Sequence, residues 1–256
     1  MALSEPLLPV VSVVMPAYNA ERTLAEAIDS LLAQTFQNWE LIILDDGSRD
    51  DTASISLAYT RADPRIRYEA NPCNLGAAGT RNRGISLARG RWIAFLDSDD
   101  VWRPEKLARQ LKLAEQTGAQ LLYTSYSLWK DEENERRPYL VPSSTDYTSM
   151  LAENVIGCST VMAPREVLAA HPFSLSTYHE DYALWLELLR SGCRAAGCTE
   201  ILVDWRVVPG SRSFSKWNAA RHRWHIYRRA ENLPLGKSLA AFGAYSVHGI
   251  LKHKRV

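Results

Sequence analysis

Cysteine is scarce: the 256 residues hold four, Cys73, Cys158, Cys193 and Cys198, and no two stand in C-x-x-C spacing. A zinc ribbon or a dithiol redox motif is therefore not expected, and so few thiols in so long a chain suit a reducing compartment. Long apolar runs are missing as well. None approaches the ~18 residues that a membrane span requires, and residues 1–9 have neither the basic start nor the long apolar stretch of a secretion signal, so a cytoplasmic protein is expected. An excess of one charge sign is also absent: 30 Lys+Arg stand against 29 Asp+Glu, a formal net charge of +1. That balance argues against a general nucleic-acid binder, and no nucleic-acid partner is expected. With 46% hydrophobic and 23% charged residues the composition is globular rather than disordered. Because single cores stop growing at roughly 250–300 residues, the length suits one main domain with an appendage.

The charge balance does not hold along the whole chain. Residues 211–256 carry ten Lys or Arg against the single acid Glu231, a local net of +9, so the preceding 210 residues carry −8. A mildly acidic body with a basic tail implies two tasks, the tail facing something anionic. Trp217, Trp224, Tyr227 and Phe242 are interleaved with the basic residues, which is the composition of a helix lying at a lipid headgroup boundary. Solvated helices and binding to another polyanion compete with that reading.

Up to about Asp100 the pattern repeats as apolar run, turn and amphipathic stretch, the signature of βα units around a mostly parallel sheet. Strands are expected at Val10–Met15, Glu40–Leu44, Ile66–Glu69 and Arg91–Leu96, and helices at Thr23–Gln34 and Leu75–Ala88, the latter despite three glycines. The second half is more mixed. A helix from Pro104 to Thr117 precedes a strand at Gln120–Tyr126, a polar loop at Asp131–Thr145, a short strand at Ser159–Met162, a helix at Tyr182–Arg190 and a strand at Ile201–Val208. Pro209-Gly210 then marks the boundary of the basic helical tail.

Ligands of open α/β sheets bind beyond the carboxyl ends of the strands, and three acidic clusters fall at such places. They are Asp45-Asp46 after the second strand, Asp97-Ser98-Asp99-Asp100 after the fourth, and Glu180-Asp181 at a helix start. Turn formation and helix capping would account for the first and last. The middle cluster is harder to explain that way, since three carboxylates within four residues repel one another unless donors or a hard divalent cation relieve them.

Taken together, these segments resemble the family 2 glycosyltransferases, inverting enzymes of the GT-A fold. The resemblance rests on Val11-Ser12-Val13-Val14-Met15-Pro16-Ala17-Tyr18-Asn19, Gln34-Thr35-Phe36-Gln37-Asn38-Trp39-Glu40, Leu44-Asp45-Asp46-Gly47-Ser48, Asn74-Leu75-Gly76 with Arg81-Asn82, and Phe95-Leu96-Asp97-Ser98-Asp99-Asp100. It runs in order over about residues 10–205. The tail, from Tyr227-Arg228-Arg229 to Ser246-Val247-His248-Gly249-Ile250, is similar to the endings of bacterial cell-surface polysaccharide transferases of the teichuronic-acid type. The implied fold is α/β, a Rossmann-like, mostly parallel central sheet flanked by helices. Residues 1–208 would form the catalytic domain, with a nucleotide-binding half over about 1–100 and an acceptor half over about 101–208. Residues 209–256 would form a basic helical extension.

The resemblance also implies roles. Asp46 would accept the imide N–H of uracil beside the aromatic face of Tyr18 and the backbone of Pro16 and Ala17, which favours a UDP-sugar, or a dTDP-sugar, as donor. Core packing is the competing role for Tyr18. Asp97, Ser98 and Asp99 match the D-x-D element, with Asp99 ligating Mg²⁺ or Mn²⁺ at the diphosphate and Asp97 on the ribose or a metal-bound water. Arg81 would support this acidic site, or else form a surface ion pair. Asp181 stands where the family places its general base. His179 would contact acceptor or metal, or else be ordinary structure, Glu180 would orient the acceptor or only support the helix dipole, and Arg212, in a candidate lid over Pro209–Lys216 hinged at Gly210, would reach a phosphate. His222 and His225 would be late metal ligands. Lacking the Gln-x-x-Arg-Trp signature of processive synthases, the chain should add one sugar per encounter to a glycan or lipid-linked acceptor at the inner face of a bacterial membrane. Two other classes remain at this point. A sugar nucleotidyltransferase needs a glycine-rich N-terminal loop that Pro16-Ala17-Tyr18-Asn19 does not supply, and a non-catalytic sugar-nucleotide-binding scaffold would be marked by damage to the acidic site.

Overall fold

The computed structural model describes residues 8–130, 135–207 and 216–254. Its amino-terminal half is built as the apolar periodicity dictates. Strands β1 (Val11–Ala17) and β2 (Trp39–Asp45) are buried almost throughout, which is why both read as continuous apolar runs rather than alternating ones. Helix α1 (Leu24–Leu32) returns from β1 with Leu24, Ala27, Ile28 and Leu31 turned into the core. Helix α2 (Thr52–Ala62) leads to β3 (Ile66–Ala70), and α3 (Gly76–Leu87) leads to β4 (Trp92–Phe95). Gly84 explains how a glycine-containing segment forms α3: a Cβ there would come within 2.4 Å of Val14 Cγ1, so the helix seats on β1 only without a side chain.

The four strands lie in the order β3-β2-β1-β4, all parallel. The register pairs Ala17 with Asp45 and Val14 with Phe95. As a result, the loops after β1, β2 and β4 emerge at one edge of the sheet.

The second half continues the same sheet with mixed polarity, through β5 (Val101–Trp102), α4 (Lys106–Thr117), β6 (Leu121–Lys130), β7 (Glu135–Tyr139), α5 (Tyr147–Ala152), β8 (Met162–Pro164), α6 (Arg165–Ala170), α7 (Glu180–Arg190) and β9 (Ala195–Arg206). The sheet path is β3-β2-β1-β4-β8-β6-β9-β5, with β7 paired to β6. Strand β8 runs antiparallel to both β4 and β6, while β9 runs parallel to β6.

Three expectations need correction here. Part of the polar loop at 131–145 is strand β7, held by backbone pairing to β6 rather than by any apolar pattern of its own. The short strand anticipated at Ser159–Met162 begins only at Met162, because Cys158–Thr160 winds into a 3₁₀ turn. Strand β9 starts at Ala195, six residues before the apolar run that announced it.

The tail is helical and docked. Helix α8 (Lys216–His225) passes through a π-helical turn at Ile226–Ala230 into α9 (Leu235–Lys254). Ile226 and Tyr227 are buried, and the Tyr227 hydroxyl donates to the Leu151 carbonyl on α5. The Glu231 carboxylate accepts from the Tyr147 hydroxyl at 2.7 Å and lies 3.5 Å from Arg190 on α7.

Candidate active site

Arg81, on the inner face of α3, is 6% exposed and makes two ion pairs across the fold. One terminal nitrogen lies 2.6 Å from Asp97 Oδ1, just past β4, and the other 2.9 Å from Glu180 Oε1, at the start of α7. Burial alone would pull its pKa down, but the charges of Asp97 and Glu180 outweigh burial and hold it well above its ordinary value. A surface ion pair, the bland expectation for Arg81, does not describe a guanidinium this buried between two distant elements.

Around it lies a cavity of about 140 Å³ lined by Arg81, Asp97, Asp100, His179, Glu180 and Asp181 together with Cys158, Ser159 and Trp205. The strands explain the convergence. Antiparallel β8 brings the Cys158–Thr160 turn beside the end of β4, where Ser159 Oγ accepts the Asp97 N–H at 3.0 Å.

The acids in and beside this cavity are not equivalent. Asp181 accepts its neighbour Tyr182 N–H at 2.7 Å, and burial, followed by the charge of Glu180, pushes its pKa up to about 6 against the pull of Arg81. Burial and then the other carboxylates of the cluster also raise Asp99 and Asp100 above the usual range. Asp100 Oδ1 accepts the Arg206 N–H at 3.0 Å, and Arg206 Nε donates to the Asp99 carbonyl at 2.9 Å. Arg206 itself lies over the Trp129 ring at 4.0 Å and pairs with Glu26.

His179 caps α7 in the left-handed region, with φ at 60°. Its ring lies 4.9 Å from that of Tyr178, and Tyr178 stacks on His222 of α8 at 3.9 Å. This brings α8 to the mouth of the cavity.

The residues expected at the nucleotide form a second group along the same sheet edge. The Asp46 N–H donates to the Ala17 carbonyl at 2.8 Å, binding the two loops together. The Asp46 carboxylate is 5% exposed and accepts from Asn71 Nδ2 at 2.8 Å and from the amides of Leu75 and Gly76 at 2.7 and 2.9 Å. It thus holds the start of α3, and of the roughly four lone-pair positions of a carboxylate one remains for a further donor. Pro16 and Ala17 end β1, and Ser98 is half-buried between Asp97 and Asp99. Tyr18 is 54% exposed, which rules out core packing and leaves its ring open to a partner.

Gly210 and Arg212, with all of the candidate lid except Lys216, lie outside the described residues. Asn71, Asp100 and Arg206 are site residues that the sequence did not single out for a task. No local pattern marks Asn71 or Arg206, whose partners lie 25 and about 106 positions away.

A parallel three-layer half joined to a mixed half, with carboxylates meeting at the strand ends, is the GT-A architecture of sugar-nucleotide transferases. Solved structures of this fold include S. aureus TarS 1-349 in complex with UDP-GlcNAc, with a TM-score of 0.71 at 18% identity, covering 92% of this chain and 71% of that one. Another is the mannosyltransferase PcManGT from Pyrobaculum calidifontis in complex with GDP-Man and Mn²⁺, with a TM-score of 0.69 at 19% identity, covering 93% and 69%. Residues 12–170 match the sequence model of glycosyl transferase family 2, and the chain belongs to that family. Among its curated relatives is the putative teichuronic acid biosynthesis glycosyltransferase TuaG of Bacillus subtilis (strain 168), 37% identical over 245 residues, 95% of this chain and 97% of that protein. The UDP-Glc:alpha-D-GlcNAc-diphosphoundecaprenol beta-1,3-glucosyltransferase WfgD of Escherichia coli is 36% identical over 95% of this chain and 94% of its own length.

Proposed function

We propose that the chain is an inverting, metal-assisted hexosyltransferase that moves one sugar from a UDP-sugar to a hydroxyl of a lipid-linked glycan in bacterial surface polysaccharide synthesis. The observation that carries this reading is the double ion pair of Arg81, which draws the D-x-D segment and the Glu180-Asp181 segment to one cavity.

The donor half recognises the base. Asp46, pinned by three donors, offers its remaining lone pair to the uracil imide, and exposed Tyr18 offers its ring face. The donor set suits a hard divalent ion. Asp97, Asp99 and Asp100 supply only oxygen, burial and then their mutual charge raise Asp99 and Asp100, and among the described residues no three His, Cys, Asp or Glu side chains close into a metal cage. Magnesium is commonly held by one or two carboxylates plus substrate phosphates, which is what this cluster provides. Asp99 would hold Mg²⁺ or Mn²⁺, and the ion when bound stabilises the charge that develops on the departing UDP.

Asp181 takes the acceptor proton. With a pKa near 6 it is mostly ionised at neutral pH yet basic enough to share a proton with an attacking hydroxyl. The thiol of Cys158 shares the cavity, but burial pushes its pKa far up, so it stays protonated and offers no nucleophile for a covalent intermediate. With Asp181 as the base, the acceptor hydroxyl attacks directly, with inversion.

The tail serves the acceptor's setting. Leu235 and Leu239, each more than half exposed, share one face of α9 with Phe242, and Arg221, Arg228, Arg229 and Lys237 are exposed along the same tail. No described helix is long and apolar enough to cross a membrane, so association would be peripheral, at an anionic surface.

The test is turnover of a UDP-sugar panel with and without Mn²⁺, in the presence of a sugar-diphospho-lipid analogue. UDP release that requires both metal and acceptor, with an inverted anomeric configuration in the product by NMR, is expected. Tight UDP binding with no transfer to any acceptor would identify a scaffold instead.

A further inference from the structure

Segment 174–181 separates the active-site cavity from a second, larger one of about 520 Å³. Its walls include Ser174, Ser176 and Thr177 on that segment, Arg190 on α7, and His225 and Arg229 at the end of α8 and in the π-helical turn. The three hydroxyls are clustered, Ser174 Oγ lying 3.3 Å from Ser176 Oγ and 3.0 Å from Thr177 Oγ1. Two carboxylates also line the cavity, and both are already engaged. Glu187 pairs with His171 at 2.8 Å, and Glu231 with Tyr147 and Arg190. Beside these pairs, the Arg229 guanidinium, the His225 imidazole and the three hydroxyls face the cavity, donors of the kind that hold a phosphate.

Its position relative to Asp181 gives it a task. Helix α7 carries Asp181 at its first turn and then passes along the second cavity at Ala183, Leu184, Glu187 and Arg190. Leu184 stands one turn, about 5 Å, beyond Asp181, which is also about the span of a hexose ring. Because α7 lines both cavities on successive turns, an acceptor that reaches past segment 174–181 from Asp181 would bring its anomeric substituent to the second cavity.

We infer that this cavity binds the diphosphate of a sugar-diphospho-lipid acceptor, with Arg229, His225 and the Ser174–Thr177 hydroxyls as its ligands. The inference rests on the lipid-linked-acceptor reading above. The wall formed by the end of α8 and the π-helical turn leads in sequence into α9, where exposed Leu235 and Leu239 would lie alongside the lipid chain.

The experiment compares kcat/KM for two soluble acceptors carrying the same sugar, one as a short-chain lipid diphosphate and one as the phosphate-free alkyl glycoside. Wild type is expected to prefer the diphosphate strongly, and Arg229→Ala to lower that preference about tenfold or more, the loss typical of a charge-assisted hydrogen bond. Ser176→Ala combined with Thr177→Val should lower it as well, in a second background that leaves the helical wall intact. A wild type without the preference would overturn the acceptor reading itself. A wild-type preference that both variants retain would overturn only the subsite. Arg229→Ala that keeps the preference but loses binding to phosphatidylglycerol vesicles would assign this cation to lipid headgroups and likewise overturn the subsite.

Discussion

A carboxylate serves as a base only above its own pKa, and for Asp181 that value is raised to about 6. As pH falls through 6 the basic form is lost, so kcat/KM is expected to decline toward a tenfold drop per unit, measured as a pH profile at saturating metal. Asp181→Asn keeps the shape and removes the basicity. It should lower kcat by about 10²–10⁴ while calorimetric UDP affinity holds. Its stability should not suffer. A carboxyl whose folded pKa lies above its unfolded value binds more protons when folded, so it opposes folding at neutral pH, and the asparagine variant should melt at the wild-type temperature or higher. Asp99→Ala is expected to weaken UDP binding at least about tenfold in the presence of Mn²⁺ and to leave metal-free binding unchanged, the contrast that separates ligation from packing.

At the level of elements, the close approach of α3 to β1 is the most exposed to a single change. Gly84→Ala puts a methyl group against Val14 and Leu44 inside a packed core, at a cost of about 1–3 kcal/mol from overpacking, read as a lower midpoint in denaturant titration. The contrast between legible and illegible elements follows from where their stability lies. Strands β1, β2 and β4 are buried on both faces and α1 on one, so their residues carry the periodicity in plain view. Strand β7 reads Glu135-Arg136-Arg137-Pro138-Tyr139, an edge strand whose charges suit solvent and whose order comes from pairing with β6, which no local pattern records. The site divides in the same way. Asp46, Asp97, Asp99 and Asp181 are legible as candidates because each stands in a short motif at a strand or helix end. The double pairing of Arg81 spans 16 positions to Asp97 and 99 to Glu180, and the anchoring of Asp99 and Asp100 by Arg206 spans more than a hundred, distances over which single-sequence patterns are silent.

Over the whole molecule, the asymmetry of charge separates a mildly acidic body from a basic tail, which on the proposed reading meets an anionic surface. The acidic body holds the chemistry and the basic tail is bolted to it through Tyr227 and Glu231. Sedimentation with anionic vesicles is expected to fall as salt rises from 0.05 to about 0.5 M, because the Debye length shrinks severalfold over that range. Equal sedimentation with neutral vesicles would remove the electrostatic account and leave α9 as packing alone.

On the proposed reading, one guanidinium holds both the acid that would flank the sugar-nucleotide and the acid that precedes the base. A negatively charged donor arriving at Asp97 would then compete for Arg81 and loosen its hold on Glu180 at the first turn of α7. Both substrates would thus be felt by a single side chain, and the expected kinetic signature is a compulsory sequence, with the nucleotide sugar entering first and spent UDP departing last.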